Sequence, residues 1–299
     1  MNQFELSITD SAVDLKRIAE SGQMFRWSQV GEVWRVQDGP HWFDISATDT
    51  CFRVRSNVDE SAFRSLFRMD VDHAAMYGGI IERGPELQDH LGSLNGLRMM
   101  RPFSATETLM SFLCTSNNHI ARIKTMVGTL AGYGVPTEVG YAFPEAEVVA
   151  SVSETELRAK GFGYRGASIP KAAAMIADWG GEASLQSLKQ QEFGAVRERL
   201  LGLPGVGPKL ADCILLFALD FGESVPIDTH IWQALTRLYF PEWSNTDLTH
   251  KKYEASAEFF RARFGEWAGV AHQFLFVDNM LNWRERKKES ALGTSVDSD

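Results

Sequence analysis

The stretch LLGLPGVGPKLADCILLFALDFGESVPIDTHIW, residues 200–232, decides the fold of this chain. Its LPGVGP core cannot continue a helix, because Gly205 and Gly207 free the backbone for positive φ and Pro204 lacks an N–H donor. Pro208 suits the first position of a helix, and apolar side chains then recur at helical spacing. The stretch therefore predicts a hairpin turn between two helices.

Two ionisable residues are expected at helix starts in this stretch. Lys209 would begin the second hairpin helix, where the helix dipole disfavours a cation, so we expect its pKa to be lowered. Asp228 follows an extended VPI segment and is expected at or near the N-cap of the next helix. A solvated lysine and a capping aspartate are the simpler interpretations of each residue alone. Lys209 nevertheless breaks a local rule, which makes it a candidate for function, and the two residues could lie at neighbouring helix starts that face one cleft.

Four ordered segments resemble a known family. The run LPGVGPKLADC followed by VPIDTHIW resembles the helix-hairpin-helix and Gly/Pro–Asp motif of base-excision DNA glycosylases. SGQMFRW at 21–27, SFLCTSNNHIARI at 111–123 and GFGYRGASI at 161–169 resemble one branch of them, the 8-oxoguanine DNA glycosylases. The hairpin lysine is similar to that of bifunctional members, which release the base and then nick the strand. The resemblance implies an α+β fold, with an N-terminal antiparallel β-sheet domain before an all-helical helix-hairpin-helix glycosylase core.

Composition and pattern give the domain organisation. The chain has 299 residues, 44% of them hydrophobic, which suffices for one large or two ordinary domains. VWRVQDG, HWFDISAT and CFRVRS alternate at period two and predict antiparallel strands with a turn at Asp38-Gly39. We predict a sheet domain with packed helices over residues 1–102 and a helical core over 103–288, with its hairpin at 200–220. The polar segment 289–299 is predicted to be a disordered tail.

Cysteine usage and hydropathy exclude several classes of protein. Cys51, Cys114 and Cys213 lie far apart, which argues against a disulfide framework, a zinc site or a four-cysteine iron–sulfur cluster. No apolar run approaches a membrane span, and the N-terminus lacks a basic, hydrophobic signal. We expect a soluble intracellular protein, in the cytoplasm or nucleoid of a bacterium or in the nucleus of a eukaryote.

The net charge of −9 argues mildly against a nucleic-acid partner, but its distribution weakens that objection. Residues 108–137 contain no Asp or Glu, and neither do residues 157–177. These ranges hold several cations and overlap the segments that the resemblance would place on DNA.

The resemblance implies roles for individual residues. Lys209 would attack C1′ of the damaged nucleoside, and Asp228 would stabilise the positive charge on the sugar. The base pocket would be formed by Gly22, Cys213, Pro226, His272 and Phe276. DNA and the cytosine opposite the lesion would be contacted by Asn117, Arg122, Tyr164, Arg165, Gly205, Gly207 and His230. The Gly22 carbonyl would meet the N7 hydrogen that 8-oxoguanine has and guanine lacks.

Simpler structural interpretations of these residues remain open on sequence alone. Gly22 suits an ordinary turn, Tyr164 a half-buried loop aromatic and Phe276 a core position. Cys213 suits a small buried hydrophobe, and His230 a satisfied structural histidine.

The base-reading position departs from the family pattern. Where the family has a Gln that reads the Watson–Crick edge, this chain has His272 followed by Gln273. Either His272 takes the role, or the helix shifts to present Gln273. A neutral histidine offers one donor and one acceptor, so it replaces only part of the amide's pattern, and formamidopyrimidine lesions remain open as substrates.

The resemblance also bears on cofactors and partners. It implies no organic cofactor, and it permits a structural cation held by the carbonyls of Leu201, Leu203 and Val206. The expected partner is double-stranded DNA containing oxidised guanine, bound by a monomer, with no membrane involved.

Two other functions compete with this one. An alkylbase glycosylase of the same superfamily would share the fold and Asp228 but would usually lack the hairpin Lys209. A non-catalytic helix-hairpin-helix module would need no such pair, and it would bind undamaged duplex as well as damaged duplex.

Overall fold

The computed structural model describes residues 1–7, 13–48 and 50–293, with side chains up to Asn282. The chain forms two compact units. The hairpin unit comprises residues 1–72 and 96–221, and the helical unit comprises residues 73–95 and 222–299. The domain boundary predicted at residue 102 lies inside the hairpin unit.

The five longer strands come before residue 57, and helices dominate the rest of the described chain. The strands are β1 (Asn2–Ser7), β2 (Trp27–Val30), β3 (Val33–Asp38), β4 (His41–Ala47), β5 (Cys51–Ser56), β6 (Pro136–Thr137) and β7 (Gly140–Tyr141). The helices are α1 (Leu15–Glu20), α2 (Glu60–Leu66), α3 (His73–Arg83), α4 (Gln88–Ser93), α5 (Ala105–Leu113), α6 (Ile120–Ala131), α7 (Ala146–Ser151), α8 (Glu154–Ala159), α9 (Arg165–Trp179), α10 (Gly181–Ser187), α11 (Phe193–Leu201), α12 (Pro208–Phe217), α13 (Thr229–Leu238), α14 (His250–Phe264) and α15 (Ala268–Gly293). Among the described residues, no helix has the length and apolar character that a membrane span requires.

The predicted antiparallel sheet is confirmed. Its strands lie in the order β1-β5-β4-β3-β2, and each neighbouring pair is antiparallel. Val36 pairs with Phe43 and Ile45 pairs with Val54, and all four side chains are buried. These four apolar side chains therefore lie on one face of the sheet. Gly39 has a φ of +55°, as the predicted turn between β3 and β4 requires.

Helix α2 covers the sheet through one aromatic side chain. Phe63 is fully buried, and its ring lies 5.9 Å from Phe4, 5.6 Å from Phe43 and 6.3 Å from Phe52, measured between centroids. It stacks on Phe67 at 4.4 Å. Aromatic pairs of this kind add to the stabilisation from burial itself. The first helix after the sheet thus packs across it, as predicted.

A buried polar network joins the sheet to α5. Glu107 accepts hydrogen bonds from Arg26 Nε at 2.8 Å and from the Gly39 amide at 2.6 Å. Asp38 accepts from the backbone amides of Phe103 and Ser104. Burial and the nearby Glu107 raise the pKa of Asp38 to about 8, and burial also raises the pKa of Glu107. The Asp38 side chain therefore links the end of β3 to the residues that precede α5.

Helix α9 begins at Arg165, and a break before Phe193 separates α10 from α11. The predicted start of the C-terminal tail was wrong. Helix α15 continues to Gly293, because KKESALG is rich in helix-forming residues, so residues 289–293 are not the predicted disordered tail. Residues 294–299 lie outside the described residues.

The helical unit is built around aromatic side chains. Phe260, Phe264 and Phe274 are buried, and the rings of Phe260 and Phe264 lie 5.2 Å apart. Arg83 of α3 donates to the Phe264 carbonyl at 2.8 Å, which ties α3 to the end of α14. These contacts hold α3 and α14 in place within the unit that contains α13 and α15.

Candidate active site

The hairpin predicted from Pro204 and the glycines is confirmed between α11 and α12. Gly205 has a φ of +86°, and a Cβ added there would lie 2.9 Å from the Cβ of Ser168 on α9. Glycine is therefore required both by the backbone conformation and by the close approach of α9. Pro208 is the first residue of α12. A backbone N–H at this position has no partner within the helix, so the missing N–H of proline costs no hydrogen bond.

Lys209 is the second residue of α12 and is half-buried. Its Nζ lies 5.9 Å from the ring centroid of Phe112 on α5. Phe112 stacks on Phe217 at 5.3 Å and meets Phe25 edge-on at 5.9 Å. Lys209 thus lies beside an aromatic wall that reaches the SGQMFRW segment. Cys213, one turn further along α12, is buried and shares this helix face.

A buried ion pair fixes the two hairpin helices to each other. Arg197 of α11 donates from Nε to Asp212 of α12 at 2.8 Å and from Nη2 at 3.3 Å. Asp212 has no solvent exposure, and Arg197 is 13% exposed. Sequence reasoning missed this pair, although a charged residue within the apolar run KLADCILLF was a signal for it. The pair holds the helix that carries Lys209.

The SGQMFRW segment is held by the side chain of Gln23. Its Nε2 donates to Ser21 Oγ at 2.9 Å and to the Arg98 carbonyl at 2.8 Å, and its Oε1 accepts from the Met100 amide at 2.8 Å. Gln23 is 1% exposed, so these bonds form away from solvent. The adjacent Gly22 is half-buried with a φ of +77°, a conformation that favours glycine. Gln23 therefore fixes the orientation of the Gly22 peptide.

The residues predicted to face the opposite base are brought together in the hairpin unit. Asn117 is exposed, with a φ of +48° in the turn between α5 and α6. Arg122 of α6 donates from Nη2 to the Gly161 carbonyl at 2.9 Å. Tyr164 donates from its hydroxyl to the Ser116 carbonyl at 3.2 Å and is 55% exposed. Hydrogen bonds donated from each side therefore join the segment Ser116–Arg122 to the segment Gly161–Tyr164. Tyr164 is more exposed than an ordinary half-buried aromatic.

Arg165 differs from Arg122 in its burial. Arg165 is 4% exposed, its guanidinium donates to the Ser116 carbonyl, and it lies 4.6 Å from the Tyr164 ring centroid. Its Nε is buried and has no hydrogen-bond partner among the described residues. Arg122, by contrast, is exposed. The two arginines assigned together from the sequence therefore occupy different environments.

Asp228 is the N-cap of α13, as predicted. Its Oδ1 accepts from the amides of His230 and Ile231, both at 2.9 Å. The side chain is half-buried. Because one oxygen serves both cap bonds, the carboxylate has a fixed orientation at the start of the helix.

The other predicted residues of the helical unit cluster around Phe276. Its ring centroid lies 6.1 Å from that of His230 and 6.4 Å from that of His272, which stacks on it at an interplanar angle of 14°. His272 precedes Phe276 by four residues and shares its helix face, whereas Gln273 is rotated by about 100°. The geometry favours His272 over Gln273 at this face. Asn279, which sequence reasoning missed, donates to the His230 carbonyl at 2.9 Å.

The predicted site residues thus fall into two groups. Lys209, Gly22, Cys213 and the opposite-base residues belong to the hairpin unit. Asp228, His230, His272 and Phe276 belong to the helical unit, together with the buried Pro226. Each group is locally ordered by the contacts described above.

The predicted cation site would consist of backbone carbonyls. Leu203 already accepts a hydrogen bond from the Val206 amide at 3.0 Å, so a cation would use the second lone pair of that oxygen. No group of three or more His, Cys, Asp or Glu side chains among the described residues is arranged to hold a metal ion. The cation site at the carbonyls of Leu201, Leu203 and Val206 therefore remains a prediction.

Solved structures share this fold. The structure of the Clostridium acetobutylicum 8-oxoguanine glycosylase/lyase, in complex with double-stranded DNA containing cytosine opposite 8-oxoguanine, matches with a TM-score of 0.80. The match covers 93% of this chain and 98% of that chain, at 24% sequence identity. The two chains therefore share one fold.

Sequence comparisons show the family. Residues 5–109 match the family model described as 8-oxoguanine DNA glycosylase, N-terminal domain. The N-glycosylase/DNA lyase OGG1 of Arabidopsis thaliana is 32% identical, over 92% of this chain and 79% of its own length. The N-glycosylase/DNA lyase of Saccharomyces cerevisiae is 28% identical, over 91% of this chain and 85% of its own length. The chain belongs to the 8-oxoguanine DNA glycosylase family, whose curated relatives are named N-glycosylase/DNA lyases.

Proposed function

We propose that this protein is a bifunctional DNA repair enzyme that excises 8-oxoguanine, preferentially opposite cytosine, and then cuts the strand by β-elimination. The observation that carries the proposal is the position of Lys209. It is the second residue of the helix that leaves the glycine hairpin, in a chain that is 32% identical over nearly its whole length to an N-glycosylase/DNA lyase. The hairpin supplies a rigid scaffold for this amine, because Gly205 and the Arg197–Asp212 pair fix the helix start.

The damaged base must leave the helix before it can react. Flipping costs a few kcal/mol, and an inserted aromatic side chain offsets part of that cost by stacking. The exposed Tyr164 suits this role. In the proposal, the flipped base lies against Gly22, Cys213, Pro226, His272 and Phe276. The Gly22 carbonyl accepts from N7–H of 8-oxoguanine, whereas guanine would leave two acceptors opposed in a dry pocket.

Lys209 is the proposed nucleophile. Its uncharged Nζ attacks C1′, the C1′–N9 bond breaks, and the base takes the bonding electrons and is then protonated. Asp228 stabilises the positive charge on the sugar, and its fixed orientation at the N-cap of α13 suits this task. The C1′–O4′ bond of the sugar ring then breaks, O4′ takes up a proton, and a Schiff base forms between Nζ and C1′. Loss of a proton from C2′ then expels the 3′ phosphate and cuts the strand.

The opposite cytosine is the proposed ligand of Asn117, Arg122 and Arg165. An unpaired cytosine offers O2 and N3 as acceptors, and a guanidinium presents donors in a planar fork. Arg122 is exposed and placed by its bond to the Gly161 carbonyl, so it can reach a base without rearrangement of the loops. This preference for cytosine is a proposal for the present chain.

The lesion range depends on His272. Because it stacks on Phe276, it is the side chain proposed to read the Watson–Crick edge. The neutral His272 ring has one donor and one acceptor, which allow partial recognition of 8-oxoguanine and of the related formamidopyrimidine. We further propose that the enzyme acts as a monomer inside the cell, on duplex DNA, without an organic cofactor. His230 and the amides around Gly205 and Gly207 would contact phosphate.

A cleavage panel tests the proposal. One duplex carries 8-oxoguanine opposite each of the four bases, and strand cutting is measured for the wild type, Lys209→Gln and Arg122→Ala. We expect the wild type to cut mainly opposite cytosine, Lys209→Gln not to cut, and Arg122→Ala to lose the preference. Arg53→Ala, which removes a 65%-exposed cation from β5, is the matched control and should behave as wild type. Equal cutting opposite all four bases by the wild type would contradict the role of Arg122.

A further inference from the structure

Asp278 of α15 is hydrogen-bonded to two side chains of α4. Its Oδ2 lies 2.7 Å from His90 Nδ1, and its Oδ1 accepts from Ser93 Oγ at 3.2 Å. The His90 and Asp278 side chains are 17% and 15% exposed, so solvent screens this contact less than it screens an ion pair at the surface. These contacts, from Asp278 to His90 and Ser93, form the α4 brace.

The surroundings of Asp278 favour its ionised form. Burial acts to raise the pKa of the carboxyl group, but His90, Ser93 and Arg237 of α13 act against burial, and the net effect is a pKa below the ordinary value. Asn282, one turn further along α15, donates to Oδ2 at 3.0 Å. The carboxylate thus interacts with donors or cations from α4, α13 and α15 itself.

Helix α4 is a fixed support for the brace. Leu91 within the helix is 6% exposed, and Leu94 just after it is 1% exposed. His90 and Ser93 are therefore carried by a helix whose apolar side is anchored in the core of the helical unit.

The brace lies on the side of α15 away from His272 and Phe276. Asp278 follows Phe276 by two residues, which places the two side chains about 200° apart around the helix. The rings of His272 and Phe276 stack on each other on the opposite face. Apolar packing is non-directional, whereas a hydrogen bond has a preferred direction. The brace therefore restricts rotation of α15 about its own axis more tightly than apolar contacts alone would.

We propose that the α4 brace is a positioning device for base recognition: by fixing the rotation of α15, Asp278 sets the placement of the His272 and Phe276 rings against the flipped base. This inference rests on the proposed function, because it takes these two rings as part of the base-reading surface. Side-chain tips lie about 5–6 Å from a helix axis, so a rotation of roughly 10° moves them by about 1 Å. A displacement of that size can slow a reaction by about a hundredfold.

Two substrates separate positioning from a general loss of structure. One duplex carries 8-oxoguanine opposite cytosine, and the other carries an abasic site opposite cytosine. The abasic site offers no base to recognise, but its C1′ aldehyde reacts with the same Lys209 amine. Single-turnover cutting of both duplexes is measured for the wild type, Asp278→Leu and His90→Phe, at a temperature below the unfolding transition of each protein.

We expect Asp278→Leu and His90→Phe to cut the 8-oxoguanine duplex about tenfold to a hundredfold more slowly, and to cut the abasic duplex at the wild-type rate. The double variant should be no slower than either single variant, because both changes remove one contact. His90→Gln keeps an N–H donor and should retain most of the wild-type rate. His90→Phe supplies the same test should Asp278→Leu fail to fold.

A second histidine–carboxylate pair in the helical unit provides the matched control. His250 lies 3.7 Å from Glu254 within α14 and is 74% exposed, so His250→Phe should cut both duplexes at the wild-type rate. Equal slowing on both duplexes by the Asp278 and His90 variants would refute a positioning role, and so would unchanged cutting of the 8-oxoguanine duplex. If the wild type itself releases no 8-oxoguanine, the proposed function fails instead.

Discussion

Replacing Gln23 by Met should damage both stability and recognition. Met has a similar length but no hydrogen-bonding amide, so the buried Arg98 carbonyl and Met100 amide would lose the partners that Gln23 provides. Each lost bond of this kind costs about 1–3 kcal/mol, so the free energy of unfolding should fall by about 2–6 kcal/mol. A domain is typically stable by about 5–15 kcal/mol, so the variant should still fold at low temperature.

The same substitution should release the Gly22 peptide, because Gln23 fixes its orientation. If the Gly22 carbonyl reads N7–H, loss of that bond is worth about 1–3 kcal/mol. The ratio of kcat/KM for 8-oxoguanine over guanine should then fall about 5- to 150-fold. Urea unfolding and single-turnover cleavage measure the two effects.

Gln29→Met is the matched control for this prediction. Gln29 is exposed on β2, so this variant should change neither quantity. A Gln23→Met protein with wild-type stability would refute the energetic reasoning. A destabilised Gln23→Met protein with full discrimination would refute the link to Gly22.

Two further predictions concern buried carboxyl groups in the hairpin unit. Asp212→Asn should lower the free energy of unfolding by about 3–5 kcal/mol, because it disrupts a buried ion pair, whereas Asp212→Leu combined with Arg197→Met should recover most of the loss. Urea unfolding checks this, and a double variant as unstable as the single one would contradict it. The pKa of Asp38 is raised to about 8 by burial and by Glu107, so between pH 4 and 8 the folded protein holds a proton that the unfolded chain has released. The free energy of unfolding should therefore fall as pH rises through this range, and Asp38→Asn should flatten the dependence. A wild-type stability that rises from pH 6 to 8 would be inconsistent with this assignment.

Local sequence chemistry predicted the parts of the fold that local rules control. Pro204 and Gly205 identified the hairpin, Pro208 the first residue of its second helix, and Asp228 the cap of α13. Alternation of side chains identified β3, β4 and β5. Each of these features depends on a residue's own backbone preferences or on neighbours within a few positions.

Features that depend on distant partners were not predicted. Gln23 contacts the Arg98–Met100 segment, and Glu107 contacts the turn at Gly39, so neither role follows from nearby sequence. A buried polar residue is recognisable only once its surroundings are known.

The candidate site shows the same division. The resemblance to the family, which rests on four ordered segments of the sequence, was sufficient to propose the roles of Lys209, Arg122 and Tyr164. Sequence could not show that Arg165 is buried while Arg122 is exposed, because burial follows from the packing of α9 against the turn at Ser116.

Covalent trapping with borohydride tests the role of Lys209 most directly. The wild-type protein and a duplex containing 8-oxoguanine opposite cytosine are mixed with borohydride, which reduces a Schiff base to a stable amine, and the linked peptide is located by mass spectrometry. We predict one protein–DNA adduct, joined through the side chain of Lys209 and absent from Lys209→Gln. An adduct on another residue, or base release by the wild type with no adduct at all, would contradict the account.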